Sequence, residues 1–494
     1  MQNELNKKIG QATKWSSITE IVVKLIAPFT NAVLARLLVP EAFGVVATLT
    51  MVVSFAEIFT DAGFQKYIVQ HQFEDDADLE ISTNVAFSTN LTFSIVLWAV
   101  IACFATPITN VVGSAGCEKA VVAMCAQIPL LAFSSIQMAR YRRDFDFKSL
   151  FVTRMATALV PLVITVPLAF VYRSYWALVV GTLARDFLNA VILTVKSRWK
   201  PRICFKLAKL REMLSFSCWT VVENITIWLT NYVGTFIVGT ALSTVYLGLY
   251  KTTITTVNAY MNLITAATTP VLFSALSRCQ DNEKAFSEVF FRFQRMVALV
   301  VFPLGFGMYV YRDLATSLLL GSQWMETADF LGLWSLTSSL SIIFCNYSSE
   351  VFRSKGKPKL SVLAQILHLA ALIPVLLLLV DRGYEVLTVG RSLIRLEMIV
   401  VCMLIMRIAI GIRFAQMLMN VWPSLFSSVV MAAVAVGLRR ISDHILYQMF
   451  SILICCGVYA VLMCLLPGGR RLLFEIPGVN TILKRVNSGR IRAK

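Results

Sequence analysis

The sequence predicts an all-α integral membrane protein of about 14 transmembrane helices: two pseudo-repeated six-helix lobes around a central cavity, plus two C-terminal helices. Three observations lead there. Hydrophobic residues make up 57% of the 494-residue chain and charged residues 15%, with a mean hydropathy of +0.72, whereas a soluble chain carries about 25% charged residues. Apolar runs of bilayer-crossing length recur from end to end. The basic residues that remain gather in alternate connections.

About twenty apolar residues cross a bilayer as a helix. Fourteen stretches qualify: 15–39, 42–69, 81–112, 119–140, 149–172, 174–196, 215–240, 244–273, 286–311, 326–352, 360–380, 384–407, 413–438 and 443–466. The polar, basic opening MQNELNKKIGQATKW leads into the first run without a small-residue cleavage pattern. It therefore reads as the start of a retained span, not a removed signal peptide.

Orientation follows from the positive-inside rule. With the N-terminus inside, the inner connections include RYRRDFDFK, KSRWKPRICFKLAKLRE and FRSKGKPK, and the basic tail 469–494 lies on the same side. The outer connections VPE, GSAGCEK, YRS, GTALSTV and DRGYE are poor in basic charge, and only LRRISDH carries two arginines. Both termini are expected in the cytoplasm. The formal net charge of +17 is thus largely topological, with anionic lipid head groups as its partners and no nucleic acid.

The longest internal connection places Ile203, Leu207, Leu210 and Leu214 at helical spacing opposite Lys206, Lys209 and Arg211. It predicts an interfacial amphipathic helix over 201–214. The chain then divides into an N-lobe (1–200), this connector, a C-lobe (215–408), two extra spans (409–468) and the tail.

Ionisable residues inside spans are costly and by default mark function. Glu20, Lys24, Pro28 and Asn31 share one face of the first span; Ser54, Glu57 and Asp61 share one face of the second. The antiparallel pairing of these spans sets Lys24 level with Asp61 and Glu57. The second half repeats the pattern with Glu223, Asn224 and Asn231, then Lys251, Thr255, Asn258 and Asn262. Two repeats with polar faces enclosing a cavity are the plan of secondary transporters. Further embedded charges are Arg154, Arg185, Asp186, Arg391, Arg395 and Glu397. Arg154, Arg36 and Lys251 lie near span ends and within snorkelling reach of the interface. Lys24, Arg185 and Arg395 lie deeper, as either functional groups or structural ion pairs. The excess of cations suits a phosphate-bearing cargo. Prolines 28, 129, 161, 167, 270, 303 and 374 are candidate bends.

Cysteines inside the spans (Cys103, Cys125, Cys402, Cys455, Cys456) form no CxxC and read as buried apolar thiols. His71, His368 and His444 are far apart in sequence and support neither a metal site nor a histidine triad.

Three stretches carry a resemblance. NAVLARLLVPEAFGVVATLTMVVSFAEIFTDAGFQKYIVQ holds an LARLL–P–E–FG run around Arg36, Pro40 and Gly44, followed by D-x-G-F at Asp61–Phe64. TFIVGTALSTVYLGLYKTTITTV supplies the matching element, with Gly248 and Tyr250 in the equivalent turn. The third contains FPLG at Phe302–Gly305 and LLLGSQW ending at Trp324. Together these resemble the Wzx-type polysaccharide flippases of the multidrug/oligosaccharidyl-lipid/polysaccharide exporter superfamily. Val39 stands where that pattern usually has glycine, and Thr240 where it often has arginine.

The resemblance implies two six-helix lobes and alternating access. Its cargo would be an undecaprenyl-pyrophosphate-linked oligosaccharide crossing the bacterial cytoplasmic membrane for surface polysaccharide assembly. The expected substrate-binding residues are Lys24, Asn31, Arg36, Arg185, Lys251, Asn258, Arg391 and Arg395. Glu20, Glu57, Asp61, Glu223 and Glu397 form the expected ion-coupling or charge network. No cofactor or metal is expected, only H+ or Na+ as coupling ion. Partners are the lipid-linked oligosaccharide, membrane lipids, and polysaccharide polymerase or export machinery. The alternative is a cation-coupled small-molecule or multidrug exporter of the same superfamily. A membrane glycan polymerase or ligase ranks below both, for want of a large outer loop or a nucleophile–base pair.

Overall fold

The computed structural model describes residue 23, residues 26–466 apart from 62, 63, 72, 145, 198, 358 and 443, and residue 469; the side chains of 61, 66, 70, 214–223, 267 and 270 are also outside the description. Helix α1 runs over 26–37. After it come α2 (Pro40–Asp61), α3 (Phe64–Gln70), α4 (Asp76–Cys103), α5 (Ala105–Val111), α6 (Glu118–Cys125) and α7 (Gln127–Arg143). Next are α8 (Phe147–Val160), a π turn (Pro161–Thr165), α9 (Val166–Tyr172), α10 (Trp176–Lys196), α11 (Leu207–Ala241) and α12 (Thr244–Arg278). The chain continues with α13 (Glu283–Val310), α14 (Arg312–Leu319), a 3-10 turn (Ser322–Thr327), α15 (Ala328–Ser341), a second π turn (Ile342–Asn346) and α16 (Tyr347–Ser354). The last helices are α17 (Lys359–Val380), α18 (Tyr384–Ala409), α19 (Phe414–Arg439) and α20 (Ile445–Leu465).

Every predicted span from the second onward coincides with one of these helical stretches. Among the described residues ten are long and apolar enough to cross a membrane by length and composition. The protein is a multi-pass membrane protein. Helix α18 is as long as the ten but carries Arg391, Arg395 and Glu397 in its middle.

Two compact units make up the chain. One contains the residues through Ala259 with Leu320–Trp324 and Leu369–Thr388; the other contains Tyr260–Leu319, Met325–His368 and the chain from Val389. In the first unit Val45, Leu49, Val53 and Ala56, one face of α2, pack with Val121, Met124, Cys125 and Ile128 from α6 and α7. Small residues let backbones meet. A Cβ on Gly181 of α10 would lie 1.9 Å from Oγ1 of Thr165 in the first π turn. The second unit is built on α13, α15 and α19, whose buried Ser335, Ser338, Ser339, Ser424, Ser427 and Ser428 leave thin contact faces. Gly305, from the FPLG run, lies against Ser339 there, and Phe302 is fully buried.

The connector differs from expectation. Residues 201–206 are extended, and helix starts at Leu207 and runs unbroken to Ala241. Nothing in 207–233 stops it, since the first glycine is Gly234 and no proline intervenes. The extended piece is tied along α4, where the Arg202 amide donates to Asn84 Oδ1 (3.1 Å) and the Cys204 amide to Ser88 Oγ (2.9 Å). Ile203, Phe205 and Leu207, alternate residues, are exposed together, while Leu210 and Met213 pack on Phe64, Tyr67 and Trp199. Ile203 therefore lies outside the helix, and Leu207, at its first position, is exposed while Leu210 packs inward.

Part of the basic-loop charge is used internally. Arg143 donates to the carbonyls of Ile68 and His71 (2.9 Å each), and Lys209 pairs with Asp78 at 2.8 Å. The cysteine expectation also needs correction. Cys125 and Cys455 are buried, but Cys103 and Cys456 are exposed, and Cys402 lies within disulfide reach of Cys345, their Cα atoms 5.5 Å apart. A separation of 57 residues carries no local signal of that pairing.

Candidate functional site

The first two stretches that carried the resemblance meet the SQW end of the third in the first unit. A Cβ on Gly44 would lie 1.9 Å from the Thr244 carbonyl oxygen, and one on Gly248 would lie 1.8 Å from that of Pro40. The start of α2 and the start of α12 thus cross through reciprocal glycines. The SQW turn caps α1 from the other side. Gln323 Nε2 donates to the carbonyls of Ala35 and, at 2.9 Å, Leu38; Trp324 Nε1 donates to Ala35 at 2.7 Å. The Trp324 ring is fully buried, edge-on to Phe43 at 5.3 Å. These motifs satisfy the last carbonyls of a helix and lock backbones together, which is a structural task. Arg36 is exposed beside Gly321.

Trp324→Ala removes the indole and one carbonyl partner from this junction. A loss of about 3–5 kcal/mol is expected for a buried tryptophan, read as a clear fall in the midpoint of thermal unfolding of the detergent-solubilised protein. An unchanged midpoint would contradict the assigned role.

A cavity of about 570 Å³ lies within the first unit, between α1, α7, α8, α10 and the first π turn. Its polar lining is Asn31, Arg154, Thr157, Arg185, Asp186 and Asn189, with Thr30, Thr165 and Thr182 around them. Arg185 Nε donates to Asp186 Oδ1 at 3.0 Å. Asp186 is 4% exposed, and its Oδ2 has no hydrogen-bond partner among the described residues. Asn189 donates to Ser134 Oγ at 3.2 Å. Helical spacing explains the grouping, because Arg185, Asp186 and Asn189 lie within one turn of α10. The π turn at Pro161 forms part of the wall, a local distortion frequent at functional sites.

The second unit holds a separate polar cluster inside its helices. Arg395 Nη1 donates to Ser338 Oγ at 2.6 Å, and its guanidinium lies over the Trp334 ring at 4.2 Å from the centroid. Arg391 stacks on the same ring at 4.9 Å. Glu397 turns to another helix, its Oε2 2.8 Å from His368 Nδ1 on α17. Two guanidinium groups thus share one indole, the planar stacking that suits arginine on an aromatic face.

Of the remaining expected residues, Lys251 sits over Tyr232 at 4.4 Å, and Tyr232 stacks on Trp228. Trp228 donates to Ser54 Oγ at 3.0 Å, which turns the second-span stripe toward α11. Glu57 is half-buried and Asn258 exposed. Glu20 and Lys24, and the side chains of Asp61 and Glu223, lie outside the described residues, as does the pairing expected of Lys24. Arg185 and Asn31 come together at the cavity; Arg391 and Arg395 come together on Trp334. Asn189, Trp334, Ser338 and His368 were not anticipated as site residues. The signal for His368 was present in LAQILHLAALIPV, a lone ionisable group in an apolar span.

Residues 33–329 match a family model described as "Polysaccharide biosynthesis protein". That stretch is more than half of the chain. The chain belongs to this family. Among characterised relatives, the succinoglycan biosynthesis transport protein ExoT of Rhizobium meliloti (strain 1021) is 24% identical over 338 residues, 68% of this chain and 67% of that one. The lipopolysaccharide biosynthesis protein WzxC of Escherichia coli (strain K12) is 18% identical over 426 residues, 85% of each chain. Among solved structures, the lipid II flippase MurJ in an inward closed conformation superposes with a TM-score of 0.76 at 12% identity, covering 91% of this chain and 98% of MurJ. That likeness is one of fold: this family member has the all-α, multi-helix membrane architecture its sequence predicts.

Proposed function

We propose that this polysaccharide biosynthesis protein is a flippase. It moves a polyprenyl-pyrophosphate-linked oligosaccharide across the cytoplasmic membrane of a bacterium, for O-antigen, capsule or exopolysaccharide assembly. The observation that carries the reading is the pair Arg391 and Arg395 on Trp334, two permanent cations held among membrane-embedded helices. Such groups are costly in a bilayer unless a function or a partner retains them. A pyrophosphate head group supplies matching negative charge, and guanidinium recognises phosphate through paired N–H donors. Arg185 and Asn31, which line the cavity of the first unit, offer hydrogen bonds to the head group and sugars, and Lys24, Arg36, Lys251 and Asn258 are proposed as further contributors.

The family and the names of the relatives support a polysaccharide precursor as cargo. The polyprenyl tail stays in lipid while the head group passes between polar groups by alternating access. Both termini face the cytoplasm in this reading, the side that the positive-inside rule favours for the basic connections. Coupling to H+ or Na+ through Glu20, Glu57, Asp61, Glu223 or Glu397 belongs to the same proposal. So do cooperation with polymerase or export machinery and the absence of a catalytic step.

Deletion in a native host tests the reading. Lipid-linked oligosaccharide is expected to accumulate on the inner leaflet while surface polysaccharide is lost, and the expressed chain should restore both. Normal surface polysaccharide after deletion, together with drug resistance on overexpression, would favour small-molecule export instead.

A further inference from the structure

We infer that His368 and Glu397 form a proton-binding site inside the second unit, placed to set the charge beside Arg391 and Arg395. His368 sits near the middle of α17, a 22-residue apolar helix, and is 5% exposed. Its Nδ1 is 2.8 Å from Glu397 Oε2 on α18. Two bare acceptors would repel at that distance, so one proton lies in the bond. The charged groups acting on the imidazole are Glu397, Arg391 and Arg395, all from α18. The neighbouring α15 contributes the uncharged Trp334 and Ser338 to the two arginines.

This arrangement has two protonation states. In one, the neutral imidazole donates its Nδ1 proton to the carboxylate, and the pair carries one negative charge. In the other, a second proton occupies Nε2, and the imidazolium and carboxylate cancel. The two arginines stay charged throughout. Proton binding therefore raises the net charge of the four-residue cluster from +1 to +2. An anion beside the guanidinium groups is held more strongly in the protonated state, and by linkage the anion promotes protonation. A purely structural pair would need no titrating imidazole in an apolar span, whereas histidine–carboxylate chains there are a known form of proton relay. This second step rests on the proposal that Arg391 and Arg395 receive the head group.

The test separates the two claims. The chain has three histidines, so the variant with His71→Gln and His444→Gln, labelled with 15N-histidine in lipid nanodiscs, reports His368 alone. Its imidazole is expected to take up a proton as the pH is lowered through the range over which the protein stays folded, and Glu397→Gln to move that transition by at least one pH unit. A single protonation state across the range, or a transition indifferent to Glu397→Gln, would overturn the proton site.

The second arm uses a short-tailed polyprenyl pyrophosphoryl glucose, a diester whose phosphates do not titrate near neutrality. Calorimetry in buffers of different ionisation enthalpy should find net proton uptake on binding to the wild type, and little with His368→Gln or Glu397→Gln. Binding with equal uptake in all three proteins would overturn the linkage. A titrating His368 with no binding of the diester would instead reject the head-group role of the arginines and leave the proton site standing.

Discussion

Gly248→Val is expected to leave almost no correctly folded protein in the membrane, while Gly457→Ala behaves as wild type. The two glycines differ only in what surrounds them. A Cβ on Gly248 would meet the Pro40 carbonyl oxygen at 1.8 Å and its carbon at 2.7 Å; nothing lies within 4 Å of one on Gly457. A flexible side chain could swing aside, but the obstructing atoms are backbone at the start of α2. Relief requires α2 and α12 to separate, which also opens the reciprocal contact of Gly44 with Thr244. Overpacking a well-filled site costs about 1–3 kcal/mol even where side chains absorb it, and a backbone clash exceeds that range. Folded yield is read from the monodisperse peak of a fluorescent fusion on size-exclusion chromatography. A wild-type peak for Gly248→Val would show that the crossing of α2 and α12 is looser than described.

The double substitution Arg391→Ala with Arg395→Ala is expected to reduce surface polysaccharide at least tenfold at unchanged protein level. Each arginine lies over Trp334, and Arg395 also holds Ser338. Each cation–π contact is worth about 0.5–2 kcal/mol, and measuring protein level alongside separates lost fold from lost transport. The arginines' contribution to holding an anion is larger. One charge-assisted hydrogen bond is worth about 1.5–3 kcal/mol, and each 1.4 kcal/mol is a factor of ten in affinity. Arg395→Lys keeps the charge but loses the planar fork, so intermediate export is expected. Full export by the double variant would remove the second-unit cluster from the transport route.

The helices and their order could be read from the sequence because each apolar run decides its own state. Main-chain groups in lipid must bond within their own segment, so twenty apolar residues become a helix whatever their neighbours do. The embedded ionisable groups were legible for the same reason, and Arg185, Arg391 and Arg395 stood out in their own spans. The connector shows where local reading fails. Ile203, Leu207 and Leu210 fit a helical period, yet hydrogen bonds from 202 and 204 to Asn84 and Ser88 hold the first part extended. Those partners lie more than a hundred residues away.

The sequence by itself therefore determined the membrane class, the succession of spans and the stock of buried charge. Only the tertiary structure decided which helix faces meet: Gly248 on Pro40, Trp324 on Ala35, Arg395 on Trp334 and His368 on Glu397. The physical reason is that lipid is as apolar as a protein core. A span's hydrophobicity thus fixes that it crosses, whereas packing and hydrogen bonds between distant helices fix which side it turns inward.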